Sequence, residues 1–495
     1  MLVKPMARLG IAGLLLSAVC LIAASSDAPL AEAARAKDST SMRALLERGV
    51  DVNAPQADGM TALHWAAYQD DLKTVELLLR AGGDVKATNQ YGVTPLSLAC
   101  TNGNGAMIEL LLEGGADPNT ALPGGETALM TAARTGKIAA VNALLSRGAD
   151  VNAKEAGRGQ TALMWAAAEG HSAVVEALLD AGADFRASLD SGFTPLLFAV
   201  REGRIGVVRA LLKAGADANE TIESGKSPRG GRPRNGTSAL LLAVQNAHFE
   251  LAAILLDAAA DPHANLTGYT VLHAVASVRK PGIGDNDPPP QGSGNMTSIE
   301  LVRKLAASGA SLNARMTKNV NLGNTILNKL GATPFFLAAQ SADAELMRAL
   351  AELGADPLLT NEDNSTPLMA AAGLGTRSPG EDAGTEEEVL EAVQAALDLG
   401  ADINAVDKHG ETAMHGAAYK NLPKVVEFLA EKGARIDIWN RKNEYGWTPL
   451  TIAEGIRFGN FKPSAVTEAA ILRVMAAAGV SPPAIRERAE RREIY

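Results

Sequence analysis

Apolar positions along this chain recur in short bursts at helical spacing, and the bursts come in pairs. Val174, Val175, Leu178 and Leu179 typify the second member of a pair: they share one face of a helix, where a strand would alternate. The first member carries two small residues, as in Ala66-Ala67 or Ala166-Ala167, which keep a helix face low enough for a neighbour to approach. Polar punctuation marks where each helix starts and stops. A Thr-x-Leu signature opens the first helix at Thr61, Thr94, Thr127, Thr161 and Thr194, at intervals of 33, 33, 34 and 33 residues, and six further copies run on to Thr448-Pro449-Leu450. The hydroxyl can accept from an orphan backbone N–H, and a Pro at the next position sits where no N–H is needed. A Gly such as Gly182 ends the second helix, because it tolerates the left-handed cap conformation. The segment after it, for example Asp150 to Gly159, reads as a turn or hairpin.

The second helix closes with a motif of its own, represented by Leu144-Leu145-Ser146-Arg147-Gly148-Ala149-Asp150-Val151-Asn152. Together the two signatures resemble the ankyrin-repeat family, whose repeats pair a Thr-Pro-Leu-His helix with a Leu-Leu-x-x-Gly-Ala-Asp-Val-Asn turn. The resemblance covers nearly the whole chain after its first segment. It implies an all-α repeat solenoid of about eleven to twelve stacked helix–turn–helix repeats joined by β-hairpin-like loops. Each repeat is too small to bury a core alone, so stacking must supply one. The expected organisation is a signal peptide over 1–26, an N-terminal capping repeat over 27–57, regular repeats over 58–219 and a basic insertion over 220–236. Repeats with insertions at 279–297, 316–330 and 373–388 then fill 237–480, and a charged tail occupies 481–495.

The interruptions read differently from one another. Lys226, Arg229, Arg232 and Arg234 make the first either a basic arm for an acidic partner or a flexible, solvated loop. The insertion at 279–297 contains Pro288-Pro289-Pro290 and separates the two helices of one repeat. Val320, Leu322, Ile326 and Leu327 make 316–330 apolar enough to fold back on the array. Glu381, Asp382, Glu386, Glu387 and Glu388 make 373–388 read as a solvated acidic loop.

Composition changes this picture in three ways. Aromatic residues are only 4% of the chain, which suits closely stacked Ala- and Leu-rich helices better than a large enzyme core. The net charge of −10 argues against nucleic acid, which needs a cationic footprint. Lys4 and Arg8 precede a largely apolar run from Leu9 to Ala24 that is short for a membrane span and ends in small residues, the secretory pattern. The expected location is therefore periplasmic or secreted, with no stable membrane span after cleavage. Lipid anchoring at Cys20 is the weaker alternative, since Ser17-Ala18-Val19 fits that motif poorly. Cys100 is left without a disulfide partner, so stability rests on packing.

A search for reactive chemistry is absorbed by the repeat. His64, His273 and His415 take the His of the signature, where the resemblance implies a structural role bonding the Thr hydroxyl and nearby backbone. His171 and His248 begin second helices, His263 lies in a turn and His409 at a hairpin tip. No His-x-x-x-His pair occurs, and no cofactor or metal is expected. Gly225-Lys226-Ser227 lacks the upstream Gly of a phosphate loop, where Glu220 stands. Family register places Trp65 and Trp165 in the core and Trp447 at an exposed position near a hairpin.

The resemblance also implies where a partner docks: on hairpin tips and the concave face of the first helices. In this register the candidate residues are Tyr68, Gln69, Arg134, Glu169, Arg201, Glu202, Gln245, Tyr419, Lys420 and Trp447, with Met60, Phe193 and Tyr269 beside the hairpins. Tyr, Trp and Arg are the types enriched at binding hot spots. The function expected is a monomeric, non-catalytic scaffold for another protein. The alternatives are an exported effector or toxin-neutralising partner, and an enzyme whose site is built from the insertions.

Overall fold

The computed structural model describes residues 28–223, 235–280, 290–320, 325–457 and 463–482. The expected signal peptide, the basic residues Lys226, Arg229, Arg232 and Arg234, and the tail beyond 482 lie outside the described residues. All eleven signature Thr or Ser residues, from Thr61 to Thr448, are N-caps of first helices. Thr194 shows the mechanism: its hydroxyl accepts the Leu197 N–H at 3.2 Å, and Pro195 follows at the first helical position. Second helices start on other chemistry. Asp71 accepts from Thr74 N–H at 3.1 Å, whereas Lys137, His171 and Arg204 head their helices with no side-chain cap.

The described residues fall into two compact units. One runs to Asp217 and includes Glu223; the other comprises Ala218–Ile222 and everything described from Asn235 on. Within each unit first helices pack on neighbouring first helices and second helices on second helices. In the first unit the described helix pairs run from Pro29–Arg35 with Ser39–Glu47 to Pro195–Arg201 with Ile205–Lys213. In the second they run from Ala239–Gln245 with Phe249–Asp257 to Pro449–Ala453 with Ala465–Ala477, with a short extra turn at Ile436–Trp439. Among the described residues there is no strand, only isolated bridges such as Ala121 with Thr127, so the connecting loops are hairpin-like turns without ladders. Leu63, Ala66, Ala67, Val75 and Leu78 are fully buried in one repeat, and each such Leu or Val stabilises by roughly 1.5–3 kcal/mol.

Two side-chain relays tie successive repeats. Asn152 donates from Nδ2 to Gly182 O at 3.2 Å and accepts the Asp184 N–H on Oδ1 at 2.8 Å. Asn53, Asn119, Asn219 and Asn404 repeat this two-way grip on the next turn. The second relay is the signature His. Thr61 N–H donates to His64 Nδ1 at 3.2 Å, so Nε2 carries the proton and donates to Val93 O of the next repeat at 3.0 Å. His273 makes the same link to Ala332 O at 3.1 Å, although 59 residues separate them. The Gly after the second helix is left-handed throughout, as at Gly182 (φ 85°); Ala259 takes that conformation at φ 65° without the freedom of Gly.

The insertions at 279–297, 316–330 and 373–388 belong to the second unit. At 279–297, Arg279 ends the helix Val271–Arg279, and Thr297 caps Ser298–Ala307 with Glu300 closing a capping box. Where it is described, 316–330 folds back in part: Met316, Val320 and Leu327 are buried, Ile326 is 49% exposed, and Leu322 lies outside the described residues. The 373–388 segment is not a solvated loop. Leu374, Thr376 and Ser378 are buried, and Glu386–Glu388 form the first turn of the helix Glu386–Asp398. Its backbone lies against Gly416, where an added Cβ would stand 2.8 Å from Leu374 N. The two insertions also clasp each other, Ile326 N–H and the Thr325 hydroxyl both donating to Gly375 O at 3.0 and 2.9 Å.

Candidate functional site

The ends of the first helices and the hairpins beside them form the surface where sequence reasoning places a partner. In the first unit this strip is a series of aromatic rings roofed by guanidinium groups. Arg35 lies 5.7 Å over Trp65, whose ring meets Tyr68 edge-on at 6.1 Å. Arg134 lies 5.5 Å over Trp165, and Arg201 lies 5.0 and 5.2 Å from Phe193 and Phe198. Each stack combines ring-face attraction to a cation with a flat apolar surface.

Several polar groups around these rings are held by hydrogen bonds, whereas Trp165 Nε1 and Arg134 Nε are buried without a partner. Trp65 Nε1–H donates to Gln56 Oε1 at 2.7 Å, and Gln56 Nε2 donates to Glu32 at 2.6 Å. Gln69 Nε2 donates to Arg35 O at 2.8 Å. Glu126 receives both Arg134 Nη2 at 3.1 Å and the Thr131 hydroxyl at 2.9 Å. Arg201 pairs with Glu202 at 2.8 Å. Of the predicted contact residues here, Tyr68 (43%), Glu169 and Glu202 are exposed, while Gln69, Arg134 and Arg201 are half-buried. Trp65 and Trp165 are half-buried too, contrary to the core position expected of them; their ring faces complete the strip.

The second unit places its candidates differently. Gln245 is half-buried and donates to Tyr269 Oη at 2.7 Å. Tyr419, Lys420 and Trp447, expected on the open face, are buried at 4%, 6% and 6% exposure. The cause for Tyr419 is a polar knot: its hydroxyl donates to Glu411 Oε1 at 2.7 Å, and Asn443 Nδ2 donates to the same oxygen at 2.8 Å. Burial holds the Glu411 carboxyl above its usual range. Lys420 lies beneath the 373–388 insertion and donates to Ala383 O. Trp447 closes its own hairpin, its carbonyl accepting Asn443 N–H at 2.8 Å, and the side chain tucks under. Met60, Phe193 and Tyr269 hold the same register and are buried in the same way.

Chemistry is sparse elsewhere. Burial lowers the pKa of His64, and of His273 and His415 to about 4, so all three are neutral structural groups at neutral pH. His409 bridges hairpins, 2.6 Å from Glu444 and 3.4 Å from Asp363, and Glu444 above all raises its pKa. Among the described residues no group of His, Cys, Asp and Glu could hold a metal ion, and no helix is long and apolar enough to cross a membrane.

Stacked helix pairs that present one strip of first-helix ends define a tandem-repeat array of the interaction type. A family model of ankyrin repeats in three-copy form matches residues 7–89, 67–155, 129–222 and 383–459. These matches cover more than half of the chain, and the protein belongs to the ankyrin-repeat family, whose repeats are generally non-enzymatic protein–protein interaction modules. The chain is also similar to neurogenic locus notch homolog protein 1 of Xenopus tropicalis, 31% identical over 147 residues, 26% of this chain and 6% of that protein. Ankyrin repeat domain-containing protein SAT10 of Stachybotrys chartarum is 33% identical over 176 residues, 32% of this chain and 9% of that one. Human neurogenic locus notch homolog protein 2 is 32% identical over 169 residues, 30% and 6% of the two chains. The chain thus spans less than a tenth of the length of these relatives.

Proposed function

We propose that this protein is a non-catalytic scaffold that binds another protein on the concave face and hairpin tips of its first unit, and that it does so as a monomer after export. The observation that carries the reading is the pair of Arg-roofed, half-exposed rings at Trp65 and Trp165, flanked by exposed Tyr68 and Glu169. Rigid aromatics and held guanidinium groups lose little conformational freedom on docking, which is why such residues dominate interface energetics. Periplasmic or secreted location rests on Lys4, Arg8 and the apolar run to Ala24. N-terminal sequencing of the protein recovered outside the cytoplasm tests it.

The docking surface is tested by photo-crosslinking from Tyr68 and Glu169, with the exposed second-helix positions Glu76 and Glu176 as controls. One discrete adduct from the first pair, lost in Trp65→Ala without a change in unfolding midpoint, is the expected result. Equal crosslinking from all four positions contradicts the reading.

A further inference from the structure

The second unit buries three cations around one carboxylate without letting any of them pair with it. Lys329 (1% exposed), Lys420 (6%) and Arg457 (5%) are all within electrostatic reach of Asp382. Among the described residues none of the three forms an ion pair with Asp382, whose Oδ1 is buried and unpartnered while its carboxylate takes a bond from Thr376. The Lys329 ammonium makes no hydrogen bond among the described residues. Lys420 is held by a single carbonyl, Ala383 O. Arg457 spends Nη1 on Tyr419 O and leaves Nε and Nη2 buried with no partner. Of the nearby carboxylates, Glu388 is held by Lys280 at 2.8 Å.

The unused edge is chemically specific. Nε–H and Nη2–H lie side by side on a guanidinium and form the fork that takes the two oxygens of a carboxylate or phosphate through parallel hydrogen bonds. Buried charge is costly unless matched by an opposite charge and hydrogen bonds, and here three buried cations share Asp382 as their common carboxylate. The walls are the two insertions, 325–330 and 373–385, laid over the end of the helix Ala413–Tyr419. We propose that this enclosure is a binding site for a small oxyanion, a carboxylate or phosphate group, gripped by the Arg457 fork and the Lys329 and Lys420 ammonium groups. Burial pushes both lysines down to about 8 and Arg457 to about 10, the direction that a bound anion reverses.

The test is thermal unfolding of the full chain titrated with sodium phosphate or sodium acetate, at constant ionic strength against sodium chloride. A saturable rise in the midpoint with either oxyanion supports the site; phosphate binding more tightly identifies a phosphate ligand, and acetate binding as tightly identifies a carboxylate. Arg457→Gln is expected to weaken the response by about tenfold or more, while the exposed Arg473→Gln leaves it unchanged. If Arg457→Gln fails to fold, Lys329→Met serves. Its stability relative to the wild type is expected to fall as phosphate is added. A gap that stays constant, or oxyanion responses no larger than that of chloride, overturns the proposal.

Discussion

The helix pairs up to Lys213 and those from Ala239 onward are built from one signature, yet they treat charge in opposite ways. Among the described residues the first unit buries no Asp, Glu, Lys or Arg; its buried polar groups are the caps Thr61, Thr94, Thr127 and Thr161, the helical Thr74 and Thr131, Gln160 and His64. The second buries Lys329, Asp343, Asp407, Glu411, Lys420, Glu454 and Arg457. Regular stacking exposes first-helix ends, so charged residues there stay in water. Insertions lay backbone across those ends and convert surface positions into interior ones. An insertion therefore changes the environment of residues it does not contain, as Lys420 illustrates.

The largest expected effect tests whether the second unit depends on its buried pairs. Arg279 is bidentate to Asp343, at 2.5 and 3.1 Å, and also bonds Ser298 at 2.5 Å. Arg279→Met strands a carboxylate that is 1% exposed and is expected to cost about 3–5 kcal/mol. Hydrogen exchange resolved by unit should show the loss from Ala239 onward only. An equal loss before Lys213 would erase the contrast.

Acid sharpens the comparison next. His273 and His415 have folded pKa values of about 4, below the ordinary value of 6.5. Their stabilisation is complete above pH 6.5 and is lost as pH falls towards 4, because the unfolded chain binds the proton first. The expected loss is about 3 kcal/mol or less per histidine over that window. The second unit has two such groups with pKa near 4, and His64 in the first is lowered in the same sense. His409, raised by Glu444, works in the opposite sense and stabilises on the acid side. Urea unfolding at pH 7 and pH 4.5 checks whether the second unit falls further; His409→Asn should steepen its fall. A first unit that proves the more acid-sensitive would reverse the expectation.

How much of this was legible from the residues follows from how local each feature is. Thr194, Pro195 and Gly182 act within one turn of themselves, so helix starts and ends could be placed by inspection. The sequence places Trp65 and Trp165 in the core, because their half-exposure depends on how far apart neighbouring first helices stand. Tyr419, Lys420 and Trp447 could not be placed, since what covers them comes from elsewhere in the chain or from their own hairpin's closure. Gly416 was a usable signal: a Gly interrupting the small-residue face marks close backbone approach, here by Leu374.

Two smaller changes probe the shared signature. Thr194→Val, in the first unit, removes a helix cap and is expected to cost about 1 kcal/mol; an unchanged urea midpoint would deny the cap its role. Ala259→Gly, in the second, relieves a left-handed Ala and is expected to add roughly 0.5–1 kcal/mol. A loss there would mean that the Ala259 methyl contributes more than its backbone strain costs.

The asparagine grip also sets how the protein ages. Asn152 uses its amide nitrogen and its oxygen at once, towards Gly182 O and Asp184 N–H. Deamidation to Asp would keep the acceptor, delete the donor and turn a carboxylate towards a carbonyl. Chemical wear would therefore loosen one junction at a time, leaving the repeats on either side intact.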